Sequence, residues 1–230
     1  MSKTILGENI LISNLLFGSI GVLVETSELQ RQSFNRALNM NGVNWNWNIG
    51  TYCDLLKEPG GKKRLSEYND NQLSAEKVEQ IHRDKQSVYE ELLGVGVKPR
   101  SGCVEAIKKC KGNGGKIGFV TGTTPYTIDI IKKSLSNYIN FDDFDIITSC
   151  ESVPQPKPSS AIYEYALSEL EIVAAQTIAI EDTKANQYAA INSGLRCYLY
   201  PGEYSVLSYK DTKDVNFVSD GKMLPSLLSD

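Results

Sequence analysis

The chain has 230 residues, 41% of them apolar and 23% charged, with a net charge of −4. That is an ordinary globular composition, long enough for one large core or a core carrying a smaller insert. The mild acidity argues against a nucleic-acid or anionic-membrane partner, and no apolar run reaches membrane-spanning length. In chain order, "MSKTILGENI" lacks the apolar stretch of a signal peptide. The first strand is predicted at "NLLF" (14–17), which enters the glycine turn of "FGSIGVLVET" (17–26). Helical spacing follows in "ELQRQSFNRALNMNG", in "TYCDLLKEPGGKKRLSEY" up to its Pro-Gly-Gly break, and in "SAEKVEQIHRDKQSVYEELLG". No β-branched run interrupts this block, so residues 27–97 are predicted to form a helical cap inserted into a core of 1–26 and 98–230. Its hinges are expected at Thr26–Glu28 and Val97–Gly102, where "GVKPRSG" collects turn residues.

From residue 116 onward strands and helices alternate. The strands are "KIGFV", "FDIITS", "TIAIED" and "RCYLY", with "VNFVSD" (215–220) as a further candidate. The helices between them are "YTIDIIKKSLSNYI", "SSAIYEYALSEL" and "KANQYAAINSGL", the last closed by Gly194 at a C-terminal position. This rhythm predicts an α/β fold with a parallel sheet, and the continuous apolar strands fit burial on both faces. The five cysteines (Cys53, Cys103, Cys110, Cys150, Cys197) are scattered and never spaced as CxxC. They read as reduced thiols in a cytoplasmic setting, neither a disulfide framework nor a zinc site.

In such a sheet, ligands bind at the carboxyl ends of the strands. Four ends are brought together here: Gly18-Ser19-Ile20, Thr121-Gly122-Thr123-Thr124, the loop "SCESVPQPKPSS" with Lys157, and Glu181-Asp182-Thr183. A hydroxyl with a lysine suits a phosphoryl group, and adjacent carboxylates suit Mg²⁺. Lys157 is placed either to bind phosphate or to pair with Asp182. The acids are placed either to hold a metal or to cap the helix that follows. Trp45, Trp47 and Tyr52 read as packing within the cap, and His82 with Lys85 as a surface feature of a cap helix.

The order and spacing of these motifs resemble the haloacid dehalogenase (HAD) superfamily, in the branch that includes β-phosphoglucomutase. "FGSIGVLVET" is similar to that family's first motif, Phe-Asp-x-Asp-Gly-Val-Leu-Val-Asp-Thr. Thr121, Lys157 in "PKPSSAIYEYAL" and "IEDTKANQYAAINSGL" match the second, third and fourth motifs. In the cap, "WNWNIGTYCDLLKEPGGKKRLSEY", "IHRDKQSVYEEL" and "KPRSG" look like CbbY-type proteins, a group associated with xylulose-1,5-bisphosphate phosphatase activity. The resemblance implies a Rossmann-like HAD core and a phosphatase or phosphomutase. It implies an aspartyl-phosphate intermediate formed by the leading Asp, acid–base help from the Asp two residues on, and Mg²⁺.

The chain departs from that pattern at the reacting centre. Gly18 stands at the nucleophile position and Ile20 at the acid–base position, and neither can perform the role. Ser19 is no substitute: an extended backbone turns it away from the side shared by 18 and 20, and the only histidine, His82, lies in the cap. Gln30 stands where the family tends to place a cap histidine. The sequence therefore predicts a catalytically impaired protein that keeps a phosphate site at Thr121, Gly122 and Lys157, with Mg²⁺ binding at Glu181 and Asp182 weakened. Gly61, Lys62 and Arg64 form the cap loop that the family turns toward substrate. The expected ligand is a small phosphorylated metabolite or inorganic phosphate, with a protein partner left open. The rival expectation is an active phosphatase or phosphomutase working by a non-standard route.

Overall fold

The computed structural model describes residues 11–57, 60–68, 70, 72–205, 207 and 216–229. Its centre is a five-stranded parallel sheet made of β1 (Asn14–Phe17), β2 (Ile117–Val120), β3 (Ile146–Thr148), β4 (Thr177–Glu181) and β5 (Arg196–Leu199), in the order β3-β2-β1-β4-β5. β1 sits in the middle because its run "NLLF" is wholly buried and, after Asn14, apolar. Successive side chains leave opposite faces of the sheet. Leu15 and Phe17 pack into one cluster with Ile107, Phe119 and Ile131, and Leu16 packs into the other with Tyr163, Ala190 and Cys197.

The register aligns Phe17 with Phe119 on one side and Ile180 on the other. The residues that follow, Gly18, Val120 and Glu181, therefore stand side by side at the carboxyl edge. Three helices return from the sheet with local capping. α7 (Pro125–Leu135) has Pro125 in its first turn and the Thr124 hydroxyl accepting from the Thr127 N–H. α9 (Lys184–Asn192) is capped by Thr183 accepting from the Asn186 N–H, so the expected capping role of Asp182 falls to its neighbour. Gly194 then takes the left-handed backbone that ends this helix, with φ +85°. α8 (Ala161–Glu169) lies against the other cluster.

A short helix that the sequence did not suggest, α1 (Ile20–Leu23), follows β1 directly. Beyond it come α2 (Ser27–Met40), α3 (Ile49–Leu55), α4 (Gly61–Glu67) and α5 (Ala75–Gly94). These four helices enclose an apolar cluster of their own around Phe34, Leu38, Trp47, Tyr52, Leu65 and Ile81. Trp45 and Trp47 both pack edge-on against Tyr68, in the packing role expected of them. α6 (Cys103–Gly112) brings the chain back to the core. The candidate strand "VNFVSD" is reduced to one parallel bridge between Phe217 and Leu199, and Val215 lies outside the described residues. Among the described residues no helix is long and apolar enough to cross a membrane.

Candidate active site

The carboxyl edge gathers the four predicted loops. Gly18 follows β1 directly, with its N–H bonded to the Ile180 carbonyl at 2.9 Å. Lys157 reaches in from the loop between β3 and α8. Its ammonium donates to the Gly18 carbonyl and, at 2.8 Å, to the Val120 carbonyl. It pairs with Glu181 Oε1 at 2.5 Å. The same oxygen accepts from the Tyr163 hydroxyl at 2.5 Å. Glu181 and Tyr163 are both fully buried. Burial, and then the charge of Glu181, hold the Tyr163 phenol proton well above the ordinary tyrosine range.

Lys157 thus pairs with Glu181 and not with Asp182, which corrects the pairing the sequence suggested. The reason is positional. Glu181 is the last residue of β4 and points into the crevice beside β1, whereas Asp182 turns toward the start of α1. Asp182 Oδ2 crowds Gly21 so closely that a Cβ there would lie 2.0 Å away. Asp182 Oδ1 and the Ser19 hydroxyl are buried on the same side without closing a well-formed hydrogen bond. Burial, and then the neighbouring Glu181 charge, raise the Asp182 carboxyl to about 6. Ser19 is expected to point away from the side shared by 18 and 20, and the side it takes is the one occupied by Asp182.

The anion cradle is better preserved. The buried Thr121 hydroxyl accepts from the Thr123 N–H at 3.2 Å, which leaves its own proton to donate. Among the described residues the N–H groups of Ser19, Ile20 and Gly122 make no hydrogen bond. A Cβ at Gly122 would meet nothing within 4 Å, so the loop is open there. The metal donors fit poorly. Gly18 supplies no carboxylate, Glu181 Oε1 is committed to Lys157 and Tyr163, and Asp182 is a half-buried acid, its Oδ1 shut from water, with a raised pKa. Among the described residues no three His, Cys, Asp or Glu side chains gather as a metal site. This set does not fit Mg²⁺, which demands several hard oxygens in near-octahedral order.

The helical insert contributes a second polar group. Lys85 and Tyr89 share one face of α5, and Tyr89 packs into the core cluster, so Lys85 lies at the junction between insert and core. Lys85 is 5% exposed, which corrects its expected surface position. Its ammonium donates to Gln30 Oε1 and to Gln86 Oε1, and sits 5.1 Å from the Phe34 ring and 4.6 Å from the Tyr89 ring. Burial, helped by the Arg64 charge, lowers it to about 7. His82, next to Gly61, is lowered to about 4 by burial and then by Lys85. Arg64 lies 5.6 Å from the Tyr52 ring and donates to the Leu55 carbonyl. Lys62 turns outward and pairs with Glu79 at 2.7 Å.

The sequence did not single out two contributors, Tyr163 and Tyr204, and it set a third, Lys85, on the surface. Tyr163 was visible only as an apolar-face residue of α8. Lys85 follows Val78 and Ile81 at helical spacing on the buried face of α5, although the sequence reading set it on the surface. Tyr204, from the segment after β5, crosses to the insert, where its hydroxyl donates to Glu28 and its ring meets Tyr52 edge-on at 6.2 Å. Beside it the Glu203 N–H donates to Glu25 Oε2 at 2.7 Å, and Ser205 donates to the Asp182 carbonyl at 3.1 Å.

The sequence pattern of the family described as haloacid dehalogenase-like hydrolase matches residues 20–200, a stretch that begins just past Gly18. Protein CbbY of Rhodobacter capsulatus is 32% identical over 197 residues, spanning 83% of this chain and 86% of the relative. A crystal structure of CbbY from Rhodobacter sphaeroides in complex with phosphate superposes with a TM-score of 0.82 at 29% identity, over 93% of this chain and 96% of that one. A single-residue mutant of that protein in complex with xylulose-(1,5)-bisphosphate gives a TM-score of 0.81 at 28% identity, over 92% and 96% of the chains. A β-phosphoglucomutase from Clostridium difficile shares the fold, with a TM-score of 0.74 at 19% identity over 93% of each chain. The chain belongs to the haloacid dehalogenase-like hydrolase family.

Proposed function

We propose that this chain is a non-catalytic member of the family that binds inorganic phosphate or a small phosphorylated sugar in the crevice between sheet edge and helical insert. The observation that carries the reading is the reacting centre. Gly18 and Ile20 offer no nucleophile and no proton carrier, and the space in front of Gly18 is filled by Glu181 and Tyr163. Loss of a nucleophile alone costs roughly 10⁴–10⁶ in rate, and further losses in the same unit add little. What supports retained binding is the Thr121 hydroxyl, the three unengaged N–H groups, and on the insert side Lys85, Gln30 and Arg64. Relatives that bind phosphate and xylulose-1,5-bisphosphate make these the first ligands to try. Weakened or absent Mg²⁺ binding belongs to the same reading. So does a reducing, cytoplasmic setting for the five cysteines, and so does a boundary that takes 27–97 as one cap domain.

The test is turnover and covalent chemistry together. Sugar mono- and bisphosphates with Mg²⁺ are expected to release no phosphate above background, and a labelled phosphoryl donor is expected to leave no label on the protein. Release at ordinary enzymatic rates, roughly 1–10³ s⁻¹, refutes the reading.

A second reading, a phosphatase working by another route, is favoured by one observation: the Ser19 hydroxyl faces the Asp182 carboxyl. In that route Ser19 Oγ attacks phosphorus, its proton passes to Asp182, and the sugar hydroxylate leaves. The covalent product is an acid-stable phosphoserine, so label at Ser19 that survives acid identifies this route. Label lost on treatment with hydroxylamine would instead mark an acyl phosphate.

A further inference from the structure

Lys157 stands in the crevice already neutralised. Its ammonium is spent on two carbonyls and on Glu181 Oε1, and the pair is shut away from water: Glu181 is fully buried, and the Lys157 side chain is 9% exposed. The volume it shares is the one a side chain at position 18 would need. A Cβ built on Gly18 lies 2.1 Å from the Tyr163 hydroxyl and 2.2 Å from Glu181 Oε1. The phenol donates to that same carboxylate oxygen, so the oxygen is fixed from two sides by charge-assisted hydrogen bonds. The Thr121 hydroxyl and the N–H groups of Ser19, Ile20 and Gly122 stay outside this network.

We propose that Glu181 is the resident occupant of the phosphoryl subsite, an internal counter-ion held in place by Tyr163, which an incoming phosphate must displace from Lys157. This rests on reading the chain as a phosphate binder without turnover. The missing first carboxylate has been replaced from across the crevice, and the replacement competes with the ligand. Phosphate can use the cradle of N–H groups in the native chain, but it gains the lysine only when Glu181 turns away. Affinity for phosphate is then set by how firmly Glu181 and Tyr163 hold the ammonium.

The experiment is calorimetric titration of inorganic phosphate into the wild type, Glu181→Gln, and Glu181→Gln combined with Lys157→Met. Glutamine keeps the shape and an acceptor for Tyr163 but carries no charge. A hydrogen bond to a charged group is worth enough to expect at least about tenfold tighter phosphate in Glu181→Gln. That gain should vanish in the double variant. Affinity that is unchanged or weaker in Glu181→Gln, a gain that survives loss of Lys157, or no phosphate binding by either protein would overturn the proposal. Should Glu181→Gln fail to fold, the wild type answers by nitrogen-15 NMR of the Lys157 ammonium, assigned by its loss in Lys157→Met. Its signal is expected to shift in proportion to phosphate occupancy as the Glu181 contact is exchanged for phosphate, and a signal unmoved at saturation overturns the proposal. Turnover of a sugar phosphate by the wild type refutes the preceding reading, not this one, because the affinity ratio is measured with phosphate alone.

Discussion

Putting the missing carboxylate back is the sharpest perturbation available, and Gly18→Asp is expected to harm before it helps. Its Cβ would land about on top of the Tyr163 hydroxyl and Glu181 Oε1, at 2.1 and 2.2 Å. Both groups are the ends of side chains, but both are fully buried, and Lys157 ties them down. Overpacking of this kind costs about 1–3 kcal/mol. The new carboxylate also sits beside Glu181 with one ammonium between them. At an effective dielectric near 20, two charges 4 Å apart repel by about 4 kcal/mol, and attraction to Lys157 offsets most of it. A net loss of about 3 kcal/mol follows, which for a chain of this length lowers the melting temperature by roughly 6–12 °C. Melting curves followed by circular dichroism measure it. The same variant, and the double variant with Ile20→Asp, then regain a carboxylate pair able to hold Mg²⁺, so millimolar Mg²⁺ should recover part of the lost stability while leaving the wild type unmoved. A Gly18→Asp protein that melts with the wild type, or a wild type that Mg²⁺ stabilises as strongly as the variant, would show that Glu181 and Tyr163 do not fill the position.

Three further outcomes follow from the same geometry. Tyr204→Phe removes the hydroxyl that joins the segment after β5 to Glu28 on α2, at a cost of about 1–2 kcal/mol. Hydrogen exchange should speed up across α2 and α3, and unchanged exchange there would deny that this segment fastens the insert. Asp182 rises from 3.8 to about 6 on folding, so the folded chain binds the extra proton. Its contribution is complete below about pH 4 and is lost as pH rises through about 6; Asp182→Asn should therefore melt progressively higher than the wild type across that window, by differential scanning calorimetry. Lys85 falls from 10.5 to about 7, and among the described residues no carboxylate pairs with it. Lys85→Met should thus stabilise the protein by about 1–3 kcal/mol near pH 6 and by less near pH 9, while weakening any sugar bisphosphate that bridges to the insert.

How much of this was legible depended on how local each cause is. The strands were plain in the sequence because a buried parallel strand is an unbroken apolar run, as in "NLLF" and "TIAIE". The helices of the insert were plain because their apolar residues recur at helical spacing, and α3 ends at Leu55 and α4 begins at Gly61, so the two are separate helices as the composition suggested. α1 was not legible: "IGVL" is four apolar residues with no period to count. Lys85 was legible in principle, since Val78, Ile81, Lys85 and Val88 form one stripe, but a lysine on that stripe is naturally assigned to the surface. The emptied centre shows the limit most clearly. That position 18 holds glycine is a local fact, and it removes the nucleophile whatever the rest of the fold does. What then occupies the space is not local. It needs β4 in register with β1 so that Glu181 arrives beside Gly18, a lysine from the loop after β3 to neutralise it, and a phenol from α8 to hold it. Those three come from positions 163, 139 and 145 residues further along the chain. Sequence spacing carries no trace of their meeting, because glycine at 18 is equally compatible with an open anion hole and with a filled one. The two differ by whether a buried lysine finds its counter-charge inside the protein. With Glu181 fully buried and 2.5 Å away, the internal partner wins until a ligand offers more than one charged hydrogen bond in exchange.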